Sequence, residues 1–227
     1  GNEANDDSEN PSISVDEENN VYVVFASDAS NLVADDRNNR KDIFLRNVTT
    51  GETTRLSVDS SENQANRDSE NPSISADGNY VVFASEASNL VENDTNNSKD
   101  IFLRNLTTGE TTRISLDSDG NEANGDSENP SISADGNYIA FTSDASNLVE
   151  GDENGRRDIF VRNLETGETS RISVDSDGNE ADDTSDNPSI SISENGSYVA
   201  FTSNASNIFA DDENTAWDIF IHDLTTG

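Results

Sequence analysis

The chain has 227 residues, 30% of them hydrophobic, and sets 47 acidic against 13 basic side chains for a formal charge of −34. Nucleic acid is excluded as a partner, because phosphate binding needs clustered Lys and Arg, and an anionic membrane surface is disfavoured on the same ground. Without cysteine there is neither a disulfide framework nor a thiolate metal centre, and no apolar stretch approaches the ~18 residues of a membrane span, so no membrane insertion is expected.

Low hydrophobic content with high charge is the composition of disordered chains. Here the apolar residues are instead gathered into short β-branched and aromatic runs, such as Val21-Tyr22-Val23-Val24-Phe25 and Ile139-Ala140-Phe141, between Asn, Asp, Gly and Ser. The pattern is that of a folded all-β chain with an acidic coat. A charge of this size repels itself unless cations screen it. Specific divalent-cation sites and adaptation to high salt both account for it, the latter favoured by a lysine content of only Lys41 and Lys99; the two are compatible. No signal peptide is present and the first residue is Gly, as in a processed product. A composition rich in Asn, Asp, Ser and Thr fits a secreted or extracellular bacterial module, with a periplasmic location also open.

Along the chain one unit recurs four times, over 1–61, 62–119, 120–177 and 178–227. Asn-Pro-Ser-Ile-Ser starts at Asn10, Asn71, Asn129 and Asn187, and Asp-Ile-Phe starts at Asp42, Asp100, Asp158 and Asp218 with spacings of 58, 58 and 60. A Thr-Gly pair follows at Gly51, Gly109, Gly167 and Gly227. The unequal spacings arise in the turn after Ser-Ile-Ser, longer at 16–20 and at 193–197, where a surface hairpin tolerates insertion.

Each unit predicts four strands, clearest in the second repeat. Residues 72–75 form a short first strand, and Asp77-Gly78 turns the chain, since Gly accepts positive φ. The second strand is 80–85, the third 100–106 and the fourth 111–116. The middle strands are apolar on both faces (Val81, Val82, Phe83; Ile101, Phe102, Leu103), as in sheets covered on both sides. The last alternates, Ile114 and Leu116 against Arg113 and Ser115, as an outer strand does. Four such sheets, each buried by its neighbours, predict a single domain: a four-bladed β-propeller of four-stranded antiparallel blades. A solenoid stack is the competing arrangement. The fourth repeat ends at Gly227, the counterpart of Gly167, so the last blade lacks its outer strand and offers an open edge for self-association.

The stretches Pro72-Ser-Ile-Ser-Ala-Asp-Gly-Asn-Tyr-Val-Val-Phe-Ala-Ser, Asp100-Ile-Phe-Leu-Arg and Thr108-Gly-Glu-Thr-Thr-Arg-Ile-Ser, with their counterparts in the other repeats, resemble the WD-like repeat of TolB-type β-propellers. The resemblance covers essentially the whole chain and implies the propeller fold. It names no activity, because the family's members mostly bind partners. This unit is longer than the family's usual repeat, the extra length lying in two acidic loops.

The first acidic loop joins the second and third strands and reads Asp-x-Asn-x-x-x-Asp in every repeat: Asp36/Asn38/Asp42, Asp94/Asn96/Asp100, Asp152/Asn154/Asp158 and Asp212/Asn214/Asp218. Close-set carboxylate and amide oxygens in an irregular loop suit calcium, Ca²⁺, which takes six to eight oxygens in flexible geometry. The same residues also fix turns by bonding their own backbone. The second loop connects one repeat to the next. Asp117, Asp119, Asn121 and Glu128 stand at positions 1, 3, 5 and 12, reminiscent of an EF-hand loop, but Glu122 occupies the position of its glycine and no helices flank it. Asp175, Asp177, Asn179 and Asp186 repeat the arrangement, and Asp59, Ser61, Asn63 and Glu70 form a weaker version. A solvated connector is the alternative to a metal site here. Glu9, Glu70, Glu128 and Asp186 also enter the first strands, where like charges must bind a cation, take up protons or point outward.

Catalysis needs an acid and a base in different environments, or a nucleophile with its own base. Near-fourfold repetition of the polar residues argues against an enzyme; a carboxylate-dependent glycoside hydrolase is the enzyme alternative. The asymmetric positions lie in the last repeat, where Trp217 replaces Lys41, Lys99 and Arg157, and His222 replaces Arg46, Arg104 and Arg162. These two residues are the candidate contacts for a protein or glycan ligand.

Overall fold

The computed structural model describes residues 3–193, 196–210, 212, 214 and 216–226, and among these there is no helix. Repeat 1 folds into β1 (Ser8–Val15), β2 (Val21–Ser27), β3 (Asp42–Asn47) and β4 (Glu52–Arg55). Repeat 2 gives β5 (Ser69–Ile74), β6 (Tyr80–Ser85), β7 (Asp100–Asn105) and β8 (Thr111–Arg113). Repeat 3 gives β9 (Ser127–Ile132), β10 (Tyr138–Ser143), β11 (Asp158–Asn163) and β12 (Thr169–Arg171), and repeat 4 gives β13 (Ser185–Ser193), β14 (Gly196–Ser203) and β15 (Asp218–Asp223). Each repeat is one antiparallel meander, three sheets of four strands and a last of three with β15 at its edge. The chain divides into two compact units, Gly1–Ile114 and Ser115–Gly227, each holding two repeats.

The local sequence accounts for these elements. Gly78 takes φ +72° in the hairpin between β5 and β6, where a Cβ would stand 2.9 Å from the Tyr22 ring. The first strand starts three residues before Pro72, because Ser69 and Glu70 pair with Ser85 and Ala84 before the register shifts. The shift falls on Asn71-Pro72: Asn71 adopts φ 53°, which Asn tolerates, and Pro offers no N–H to the ladder. The same conformation recurs at Asn10, Asn129 and Asn187. The fourth strand is shorter than the alternation predicted. After Arg113 the chain leaves the ladder, with Ile114 N–H donating to the Ile101 carbonyl (2.7 Å) and Leu116 forming an isolated bridge to Glu122.

Val81, Val82, Phe83 and Ala84 of β6 are fully buried, so both faces of the middle strand are covered. Phe83 lies opposite Phe102 with ring centroids 6.1 Å apart, and the equivalent pair recurs in the other sheets at 5.8 to 5.9 Å. In the first unit, Val24, Ala26, Ile43 and Leu56 of repeat 1 pack on Ala65, Ile74, Val81 and Phe83 of repeat 2. In the second, Ala140, Ile159, Val161 and Ile172 of repeat 3 pack on Ile190, Val199 and Phe201 of repeat 4. One interface is thus built twice from equivalent residues.

Candidate functional site

In the loop before the third strand, both aspartates reach an arginine from the fourth strand of the same sheet. Arg55 lies 3.4 Å from Asp36 and 3.5 Å from Asp42, Arg113 lies 3.6 and 3.7 Å from Asp94 and Asp100, and Arg171 lies 3.5 and 3.8 Å from Asp152 and Asp158. All three acid pairs are buried, and Arg171 gains a third carboxylate from Glu180 at 2.9 Å. The asparagine between them acts as a donor: Asn38 Nδ2 gives hydrogen bonds to Asp42 (2.9 Å) and the Ala65 carbonyl (3.1 Å), and Asn154 does the same to Asp158 (3.0 Å) and Ala181 (2.9 Å). Asn96 and Asn214 likewise donate to Asp100 and Asp218, at 3.0 and 3.2 Å. Two residues beyond the arginine, the Ser57 hydroxyl donates to Asp42 and the Ser173 hydroxyl to Asp158, each at 2.5 Å. These arginines and serines are the partners that the loop's own spelling did not reveal. Their signal was the recurring Thr-Thr-Arg or Thr-Ser-Arg followed by an apolar residue and Ser.

Burial pushes the Asp42 and Asp158 carboxyls up, against the serine and asparagine bonds and the arginine that favour the charged form. Asp152 is raised to about 6, first by burial and then by the neighbouring Asp158, with Arg171 opposing. Its Oδ2 is buried and has no hydrogen-bond partner. Asp212 and Asp218 are half-buried, with Asn214 bonding both; 211, 213 and 215 of that loop lie outside the described residues.

The connector acids separate into two roles. Asp117 accepts hydrogen bonds from the Asp119 and Asn121 amides and from Asn121 Nδ2 (2.9, 2.8 and 2.8 Å), and Asp175 closes the same turn with Asp177 and Asn179. Asp119 and Asp177 face solvent. Glu128 and Asp186, the twelfth positions, belong instead to first strands, and both pair with Arg157, at 3.2 and 3.7 Å. Glu9 and Glu70 are met in the same way by Lys41 and Lys99, each at 2.5 Å. Among the described residues, no group of three or more Asp, Glu or His is arranged to hold a metal ion.

Trp217 immediately precedes β15 and His222 lies within it, about 16 Å further along the strand. Trp217 is exposed. His222 lines a cleft of about 370 Å³ with Tyr138, Glu168, Ser170 and Leu224, where burial lowers its pKa. Two of the arginines it replaces hold connectors: Arg104 donates to the Asp59 carbonyl (3.1 Å) and Arg162 to that of Asp117 (2.8 Å). Of the two longer turns, 16–20 is stapled by Asp16, which accepts from the Asn20 amide at 2.8 Å, whereas 194 and 195 of the other lie outside the described residues.

Superposition on solved structures aligns 98% of the chain with 42% of TolB from Acinetobacter baumannii, at a TM-score of 0.55 and 18% identity. The fold is that of the TolB-type β-propellers. The four sheets are its blades, the last one three-stranded. The tricorn protease (TM-score 0.53, 13% identity, 95% of this chain and 21% of that one) shares it. So does oligogalacturonate lyase from Vibrio parahaemolyticus (0.50, 12%, 99% and 60%). No family model and no curated protein sequence matches the chain. The chain spans less than half the length of the Acinetobacter baumannii TolB, and these likenesses carry the fold alone. The described residues include no helix long and apolar enough to cross a membrane.

Proposed function

We propose that the chain is a non-enzymatic, secreted propeller module that contacts a protein or glycan through the residues setting repeat 4 apart. The observation that carries this reading is the arginine clamp: the repeated loop carboxylates of three blades are engaged by arginine, serine and asparagine of the fold itself. A residue occupied in the same way in three successive blades performs a structural task. The unlike residues remain for recognition, Trp217 as an exposed aromatic anchor and His222 beside its cleft. A glycoside hydrolase would need a raised-pKa acid open to substrate, whereas the side chain of Asp152, the acid raised to about 6, is 2% exposed. Secretion agrees with the composition rich in Asn, Asp, Ser and Thr.

A glycan array and a pull-down with wild type, Trp217→Ala and His222→Ala test this. Loss of an anchoring aromatic costs about 2 kcal/mol or more, so Trp217→Ala should weaken the captured ligand roughly 30-fold. A ligand held equally by both variants, or turnover of any glycan, contradicts the proposal.

Calcium is a second reading, favoured at one place. The Asp212 and Asp218 carboxylates of repeat 4 are half-buried and are bridged by Asn214, oxygen ligands of the kind calcium takes. Elsewhere the arginine already supplies the positive charge, and the remaining acidity is then the coat of a salt-adapted surface.

A further inference from the structure

Shortly before its first strand, each repeat places one polar residue in the same setting: Asn5, Asn66, Asn124 and Asp182. In repeat 2 the Asn66 backbone amide donates to Asn89 Oδ1 (2.9 Å), Asn66 Nδ2 donates to the Ser88 hydroxyl (3.0 Å), and the Ser88 amide donates to Asn66 Oδ1 (3.1 Å). Asn124 makes the same three bonds with Asn147 and Ser146, at 2.9, 3.1 and 2.9 Å. Asp182 keeps the bonds to Asn207 (2.9 Å) and from the Ser206 amide (2.7 Å), and reverses the third: the Ser206 hydroxyl donates to Asp182 Oδ2 at 2.8 Å. A serine hydroxyl serves as acceptor or donor, so this setting takes a carboxamide or a carboxylate with the same contacts. The residue that follows separates the copies: Asp6, Arg67, Gly125 and Asp183. Asn124-Gly125 thus sets an exposed carboxamide beside the least hindered backbone nitrogen that a chain offers. Among the described residues, the Gly125 N–H gives no hydrogen bond.

We propose that Asn124 is a site of deamidation in the folded protein. The Gly125 nitrogen, losing its proton, attacks the Asn124 carboxamide carbon and closes a succinimide ring; the bond from that carbon to Nδ2 breaks, and ammonia leaves with the proton. Water then adds to one imide carbonyl and reopens the ring. Opening at the side-chain carbonyl restores the backbone and leaves an aspartate at 124, which the Ser146 hydroxyl meets as Ser206 meets Asp182. Opening at the main-chain carbonyl gives the β-linked isomer. Water is the one co-reactant, and each event adds one negative charge to repeat 3. Asn154-Gly155 is the contrasting case. Asn154 is half-buried, its Nδ2 donates to Asp158 and to the Ala181 carbonyl, and its Oδ1 accepts from the Arg156 amide at 2.7 Å. Reaction there would set a new carboxylate against the buried Asp158, so that amide is retained. Asn195, of the third Asn-Gly pair, lies outside the described residues.

Peptide mapping by mass spectrometry tests the inference on the folded 227-residue protein, aged in mildly alkaline buffer made with heavy-oxygen water. The Asn124 peptide should exchange its amide for an acid carrying heavy oxygen. It should do so about 10-fold or more faster than the Asn66 peptide, a barrier lower by roughly 1.4 kcal/mol or more. Asn154 should keep its amide over the same period. Arg67→Gly changes an exposed residue and gives repeat 2 the same dipeptide, so Asn66 should then react at a rate approaching that of Asn124. This variant is chosen over Gly125→Arg because a Cβ at 125 would stand 2.9 Å from the Ala145 nitrogen. Asn124→Asp should melt at the wild-type temperature, since the Ser146 hydroxyl turns to donate. In the wild-type protein alone, an Asn124 amide as durable as that of Asn66 would overturn the proposal, and so would loss of the Asn154 amide first. An Arg67→Gly protein that is folded by circular dichroism yet keeps its Asn66 amide would equally overturn it, as would an Asn124→Asp protein that melts well below wild type.

Discussion

Asp152 and Asp175 belong to one repeat and answer to opposite forces. Burial raises Asp152 to about 6, so between the unfolded value near 3.8 and 6 the native state binds more protons than the unfolded one. Stability through this group therefore falls as pH rises across that window. Asp175 is lowered, first by the Asn179 side chain and then by backbone amides, so its contribution is present above 3.8 and is lost as pH falls through its depressed value. Asp152→Asn should be more stable than wild type at pH 7.5, by about 1–3 kcal/mol, with the difference vanishing toward pH 4. Melting curves of both proteins across pH 4–8 measure it, and a difference constant with pH contradicts the raised pKa. At this scale the sequence displayed the acids and their spacing. What it concealed is that Asp42 is answered by Arg55, thirteen residues away across a hairpin, because an ion pair between strands leaves no mark within the loop itself.

The elements were legible where turn chemistry is local. Asp77-Gly78 and the Thr-Gly turns mark the hairpins, and the doubly apolar middle strands mark sheets covered on both faces. The extension of the first strand past Pro72 was not, because a proline reads as a strand boundary and the register is recovered only by Asn71 at positive φ. Asn71→Ala should destabilise by about 1 kcal/mol, because alanine lacks the short polar side chain whose local hydrogen bonding lets Asn occupy the left-handed region. Asn71→Gly should stay closer to wild type despite losing the bond from Asn10. Urea midpoints of the two variants measure this, and equal losses would show that the side-chain bond rather than the backbone conformation matters. Nor was the short fourth strand legible, since Ile114 and Leu116 continue the alternation in sequence while their backbone turns into the connector.

Over the whole molecule, the fourfold repeat made the propeller readable, because a unit that cannot bury both faces alone must stack on its neighbours. The net charge of −34 was ambiguous from composition, since a cation and an arginine clamp satisfy the same acids. In three blades the loop acids are held by arginine. The direct measurement is urea unfolding of wild type and Arg113→Met, each in chelator and in Ca²⁺ at matched ionic strength. Removing one partner of a buried ion pair costs about 3–5 kcal/mol, so Arg113→Met should unfold at a clearly lower midpoint in both solutions. Wild type should gain from Ca²⁺ no more than one site's share, about 2.7 kcal/mol at 100 times Kd. An Arg113→Met midpoint equal to wild type, together with a wild type that collapses in chelator, would show that a cation rather than the arginine holds these loops.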